Sequence, residues 1–264
     1  MERVRLDKLL VGRKYFSSRE KAQEAILAGS VKVSGLRTLK VSSLVSKNVE
    51  VEIVENRENF VSRGGIKLSY ALKKFDIDAL EAVAIDIGTS TGGFCDCLLR
   101  NGAAKIYAID VGYGQIAWSL RIDPRIVLME RCNARFLDII SVGGQPVDLI
   151  TIDVSFISLN HILPVAKRLL KPDGHVVSLV KPQFEAGRTD VCKGGVVRST
   201  SVHERVLCNL IDAALTFHLV PLGLVESPIL GSKGNKEFFI HWRTNQYDNL
   251  RLNKRFVAEL FPEK

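Results

Sequence analysis

From Phe60 onward the chain alternates short apolar runs with helical patterns, and few folds accept that rhythm. Val83–Ile87, Lys105–Val111, Ile126–Met129, Val147–Asp153 and His175–Val180 read as strands, and Phe94–Arg100 and Ile157–Leu170 read as helices. Runs that are apolar on both faces predict a doubly wound α/β fold, a mostly parallel sheet covered on both sides. The end of the chain breaks the rhythm. His218–Glu226, Ser227-Pro228, a glycine-rich turn and Glu237–Trp242 predict an antiparallel edge pair. Between the fifth strand and the next helix, Pro182–Arg198 is long and aperiodic, and such loops are usually functional.

The segment before Phe60 reads as a small α+β domain. Leu6, Leu9 and Leu10 share a helical face, and Ser17–Glu20 has capping-box spacing ahead of a second helix with Ala22, Ala25 and Ile26, ended by Gly29. Val31–Val33 and Val49–Val54 alternate as strands. The expected organisation is a module over 1–54, a linker over 55–60, a catalytic domain over 61–243 and a basic tail over 244–264.

Composition narrows the class. Of 264 residues, 46% are apolar and 25% charged, as in a globular protein, and no apolar run approaches the ~20 residues of a membrane helix. The charged N-terminus lacks a signal-peptide core, so a cytoplasmic location without stable membrane association is expected. Five scattered cysteines argue against a disulfide framework and supply no metal-ligand spacing. The net charge is +8. From Met1 to Lys47 there are eleven Lys/Arg against four Asp/Glu, so this segment carries +7. The excess suits a polyanion, or a solvated surface.

Gly88–Phe94 reads GTSTGGF, a glycine turn after the first strand. It is neither the phosphate loop, since no lysine follows, nor the G-x-G-x-x-G fingerprint. Asp86, two residues ahead, disfavours a phosphate. Asp110, ending the second strand, is placed to accept hydrogen bonds from both hydroxyls of a ribose, with capping of the next turn as the alternative. A ribose with a cationic appendage and no phosphate describes S-adenosylmethionine. The segment Asp153-Val154-Ser155-Phe156 lacks the prolines of an amino-group methylase, and no cysteine neighbours a proline, so oxygen remains as the methyl acceptor. A ribose hydroxyl needs a group to take or steer its proton and cations to stabilise the oxyanion. Asp153 and Lys181 close the fourth and fifth strands. Lys67 and Glu237 are weaker candidates, one open to a solvated helix position and the other to an edge-strand role. A lysine between carboxylates keeps its proton, which suits Lys181 to orienting the hydroxyl rather than acting as its base.

These residues resemble the TlyA-type, haemolysin-A-like family of ribosomal RNA 2′-O-methyltransferases, within the FtsJ-like methyltransferases. The resemblance rests on Phe60–Leu68, GTSTGGF, Asp110–Gln115, Met129–Arg135, Ile152–Leu159, Leu179–Glu185, Gly194–Arg198 and His203–Val206. It implies a Rossmann-like methyltransferase domain with a catalytic tetrad of Lys67, Asp153, Lys181 and Glu237. It implies S-adenosylmethionine bound by Asp86, Gly88, Ser90, Thr91, Gly92, Gly93, Phe94 and Asp110, with Asn133 near the adenine. Over Met1–Val54 it implies an RNA-binding module like that of small-subunit ribosomal protein S-four, where Arg3, Arg5, Lys8, Arg13, Lys14, Arg19, Lys21 and Lys32 are the candidate contacts. The partner implied is ribosomal RNA or a ribosomal subunit, and the substrate a cytidine ribose. The family name also raises a pore-forming alternative, for which the sequence offers no long amphipathic segment. A third reading is an RNA-binding protein with an inactive catalytic domain.

Overall fold

The structure, a computed structural model, describes residues 3–27, 31–36, 40–53, 60–244 and 255–261. It forms two compact units, Met1–Arg63 and Gly64–Lys264. Residues 55–59 of the expected linker and Gly29 lie outside the described residues.

The first unit contains β1 (Arg3–Arg5), α1 (Leu6–Gly12), α2 (Arg19–Leu27), β2 (Val31–Val33), β3 (Leu44–Ser46) and β4 (Val51–Ile53). Antiparallel pairs β1–β3 and β2–β4 complete it. Leu6, Leu9 and Leu10 bury one face of α1 against Ala22, Ile26, Val31, Val33 and Val45. The helix α2 starts later than the Ser17 spacing implies, with the Ser18 carbonyl accepting its first bond, from Ala22 N–H at 3.1 Å.

A fully buried carboxylate organises this unit. Asp7, in the first turn of α1, accepts a bidentate pair from Arg5 Nε and Nη2 at 3.0 Å each. It also accepts from Arg19 Nη2 and Gln23 Nε2, both at 2.9 Å. Arg5 foremost, and then Arg19 and Gln23, hold the Asp7 carboxyl well below its usual range despite burial. Arg13 instead reaches the turn between β3 and β4, donating to the Val49 carbonyl at 2.7 Å and to that of Lys47 at 2.5 Å.

The second unit contains α3 (Arg63–Phe75), β5 (Val83–Ile87), α4 (Gly93–Arg100), β6 (Lys105–Ile109), α5 (Trp118–Arg121), β7 (Ile126–Met129) and β8 (Val147–Ile152). Then follow α6 (Leu163–Leu169), β9 (Leu170–Val180), α7 (Pro182–Glu185), α8 (Thr200–Thr216), β10 (Leu219–Glu226), β11 (Phe238–Thr244) and α9 (Arg255–Leu260). One seven-stranded sheet runs β10-β11-β9-β8-β5-β6-β7, in which β11 alone opposes the other strands. Four of the five residues of β5 and of β6 are buried, which explains why these strands read as continuous apolar runs.

Three departures from the sequence reading have simple causes. The predicted helix Ile157–Leu170 divides into a 3-10 turn at Leu159–His161 and α6, because Pro164 suits only the first turn of a helix. The loop Pro182–Arg198 holds α7, a 3-10 turn at Arg188–Asp190 and a bridge between Cys192 and Val196. Part of the basic tail is a core element. Val257 of α9 is buried, and Phe256, Leu260 and Phe261 pack on the sheet's core cluster. Tail residues 245–254 and 262–264 lie outside the described residues. Among the described residues no helix is long and apolar enough to cross a membrane.

Because the folded-state pKa of Asp7 lies below its unfolded value, its contribution is present above about pH 4 and is lost as the pH falls further. Asp7→Ala leaves two arginines around an empty site and is expected to lower the melting temperature of the first unit by roughly 10 °C or more. Scanning calorimetry of the full chain should show this with the transition of the second unit unmoved.

Candidate functional site

Parallel pairing places Ile87 beside Ile152, so Gly88 and Asp153 emerge together at the carboxyl ends of β5 and β8. The Asp153 N–H donates to the Ile87 carbonyl at 2.9 Å. Gly88 has φ +88°, and a Cβ there would overlap the Asp153 carbonyl. Glycine is therefore required twice over, by its backbone conformation and by the close approach. Antiparallel pairing of β11 sets Phe238 opposite Val180, which carries the preceding Glu237 opposite Lys181.

Two ion pairs result. Lys181 Nζ lies 2.7 Å from Asp153 Oδ1 and donates to Ser155 Oγ at 2.9 Å. The Lys181 ammonium thus covers Oδ1 of Asp153 while it donates to the serine hydroxyl. Pro182 restricts Lys181 to extended backbone (φ −111°, ψ 98°), continuing the line of β9. Lys67 Nζ meets Glu237 Oε2 at 2.5 Å, with both side chains largely removed from solvent. Lys67 shares the buried face of α3 with Leu68, Ala71 and Leu72, and that face carries its ammonium inward. Lys67 is therefore not at a solvated helix position, and Glu237 does not guard a sheet edge, since β11 lies between β10 and β9.

A cavity of ≈ 370 Å³ opens beside Asp153. Gly88, Ser90, Asp110 and Asn133 line it, with apolar walls that include Val111 and Ile157. Asp110 is fixed by two backbone amides, Ser90 N–H at 2.6 Å and Gly112 N–H at 2.7 Å. Each oxygen accepts one bond and retains a lone pair toward a ligand. The Gly112 bond is the turn cap that was the sequence alternative for Asp110. The Asn133 carbonyl caps the 3-10 turn after it by accepting from Arg135 N–H at 3.1 Å. Phe156, at φ +64° and 90% exposed, lines the mouth with its ring 4.8 Å from that of Phe184.

Other members of the predicted set lie off the cavity lining. Gly92, Gly93 and Phe94 are buried at the start of α4, and exposed Thr91 accepts Ala117 N–H on its carbonyl at 3.1 Å. Asp86 departs most from expectation. It lies below the turn, fully buried, accepting from Thr151 Oγ1 at 2.8 Å and Cys95 Sγ at 3.1 Å. Burial pushes its pKa up to about 6, and the nearby Asp153 charge adds to the rise against the lowering by its two donors.

Several buried or half-buried polar groups were not among the predicted site residues. Glu185 accepts from Ser158 Oγ at 2.6 Å and Leu159 N–H at 2.9 Å, bracing the segment after Phe156, and burial raises its pKa. Gln183 Oε1 is a buried acceptor without a donor. Asn235, 2% exposed, accepts from Val197 N–H and donates to the Gly195 carbonyl.

The first unit has a larger open groove, ≈ 920 Å³, where Arg13 and Lys32 face Glu50 and Glu52. Its lining carries two cations against two carboxylates, so the charges balance. Among the predicted RNA contacts, Arg3, Lys8, Lys14 and Lys32 are exposed. Lys32 reaches only a distant Glu52, at 3.9 Å. Arg5, Arg13 and Arg19 are engaged within the unit, and the Lys21 side chain lies outside the described residues.

Residues 60–244 match the FtsJ-like methyltransferase family, and residues 4–51 match the S4 domain. A Mycobacterium tuberculosis protein named 16S/23S rRNA (cytidine-2′-O)-methyltransferase TlyA is 43% identical over 92% of this chain and 90% of its own length. Hemolysin A of Brachyspira hyodysenteriae is 40% identical over 90% of this chain and 99% of its own. A solved Streptococcus thermophilus structure bearing a hemolysin name is 39% identical, with a TM-score of 0.74 and coverage of 98% of this chain and 96% of that one.

Asp86 supplies a pH test of the buried layer. Its folded-state pKa lies above the unfolded value, so its contribution to stability is absent at neutral pH and grows as the pH falls through 6. The stability difference between wild type and Asp86→Asn should shift in favour of the wild type by on the order of 2 kcal/mol between pH 7 and pH 4. Urea denaturation at each pH measures it.

Proposed function

We infer the function from one premise: the chain belongs to the FtsJ-like methyltransferase family, in its TlyA-type branch, and carries an S4 domain ahead of the catalytic domain. It transfers a methyl group from S-adenosylmethionine to a ribose 2′-hydroxyl, that of a cytidine, in ribosomal RNA, and it acts in the cytoplasm. The observation that carries this reading is the Lys181–Asp153 ion pair, whose carboxylate lines a cavity that also holds Asp110, with the Lys67–Glu237 pair brought in by the register that sets Glu237 opposite Lys181. The hemolysin names of relatives describe those proteins, and nothing at this site requires a membrane to explain it.

The cavity suits the cofactor. Asp110 has lone pairs free for ribose hydroxyls, Gly88 leaves the backbone open to close approach, and the walls are largely apolar. Asn133 is the candidate for the base, while Asp86 acts from beneath the turn rather than by contact. When bound, the cofactor supplies an electrophilic methyl group. The protein supplies the rest. Asp153, paired with Lys181 and lining the cavity, accepts a hydrogen bond from the substrate hydroxyl and so aims the nucleophile, and the hydroxyl proton is given up as the new C–O bond forms and S-adenosylhomocysteine leaves. Lys181 acts as the cation beside the oxygen as its charge develops. Glu237 and Lys67 add a second, buried pair that fixes the electrostatics of the cleft.

Incubating the protein with labelled S-adenosylmethionine and ribosomal subunits lacking the modification, then digesting and analysing by mass spectrometry, should reveal 2′-O-methylcytidine. No label on either subunit from cofactor-binding protein would overturn the reading. Lys181→Ala should reduce transfer by roughly 100-fold or more while cofactor affinity stays within a few fold. For the first unit, four exposed cations, Arg3, Lys8, Lys14 and Lys32, remain for phosphates. Deleting residues 1–54 should reduce the slope of log affinity against log salt by about 3, and an unchanged slope would remove the unit from RNA contact.

A further inference from the structure

We infer that Gly231 is a positioning residue for the Lys67–Glu237 pair, an inference that rests on the reading of the site given above. Gly231 is buried, and its φ lies outside the left-handed region, so its backbone would accept any ordinary residue. What excludes a side chain is Glu237. A Cβ on Gly231 would overlap Oε1 and Cδ of that carboxylate and come within 3.1 Å of its Cγ. All three nearest atoms belong to the one side chain.

The Glu237 carboxylate is therefore clamped. Lys67 Nζ meets Oε2 at 2.5 Å on one side, and the bare Cα of Gly231 lies against Oε1 on the other. With Glu237 only 2% exposed, the carboxylate has no solvated position to retreat to without leaving its partner.

The wall behind it is held from two directions. Gly231 N–H donates to the Asn235 carbonyl at 2.8 Å, closing the turn. The Asn235 side chain accepts from Val197 N–H at 3.0 Å and donates to the Gly195 carbonyl at 2.9 Å. The turn before β11 is thereby stapled to the end of the long loop that follows Lys181. Beyond it, Ser227 N–H donates to the Glu237 carbonyl at 2.8 Å. Gly231 thus works through Glu237, and the segment 195–197 backs it.

The test combines kinetics with a double-mutant cycle on the full chain. Gly231→Ala should lower kcat for methyl transfer by about 100-fold, the scale of a small misplacement at a reacting centre, while cofactor affinity stays within about threefold. The same substitution should lower the melting temperature of the wild type but leave that of Glu237→Ala unchanged, because the new methyl then meets no carboxylate. Additive losses in the two backgrounds would overturn the inference, since Gly231 would then act through something other than Glu237. Wild-type turnover by Gly231→Ala would overturn it as well. Full activity of Glu237→Ala alone would instead sink the catalytic reading of the pair, and the stability cycle would still decide whether Gly231 sets the carboxylate's place.

Discussion

The parallel pairing of β5 with β8 brings Gly88 and Asp153 side by side, and the geometry of the cleft follows from that register. A slip of one residue would turn every side chain of β8 to the opposite face and put Ile152 where Asp153 stands. Gly88 permits the two backbones to meet at contact distance, so the turn that floors the cavity and the carboxylate at its mouth are one rigid object. The antiparallel β11 then adds its own first residue from the same end of the sheet. Charges at positions 153, 181 and 237 converge because strand ends converge, as is usual at the carboxyl edge of an open α/β sheet, and Lys67 joins them from α3.

Burial decides what these charges can do. Lys67 and Glu237 lie largely out of water, where an unpaired ion would cost several kcal/mol, and each is tolerated because of the other. Asp86 has no cation within its layer and meets the same problem by a raised pKa and two neutral donors. Asp153 is intermediate, paired with a cation at 2.7 Å yet with its side chain still 22% exposed where it lines the cavity. The charges therefore grade from a pair closed off from water to one that remains open to it.

Much of this was legible in the sequence because β-strands buried on both faces leave continuous apolar runs. The strand ends, and hence Asp153 and Lys181, could be read from where those runs stop. The three-residue strands β1 and β3 could not, being too short to display an alternation. Nor could α9, whose Phe256, Val257, Leu260 and Phe261 span fewer than two turns. Asp86 was placed in the ligand's path because it precedes the glycine turn. Its layer in the sheet instead pairs it with Ala108 and Thr151, and Cys95 of α4 closes over it. Asn235 and Gly231 leave no trace in any periodic pattern, since their contacts join segments far apart in the chain.

The place of β11 has a consequence for the order in which the molecule can be assembled. It is the last strand in sequence, yet in space it lies between β10 and β9. Until it arrives, the apolar flank of Val176–Val180 is an open sheet edge, the kind of surface on which nascent chains pair wrongly. Glu237 directly precedes this strand, so positions 67, 153, 181 and 237 can stand together only after β11 has been made and inserted. The same insertion that closes the sheet brings the fourth charge into place.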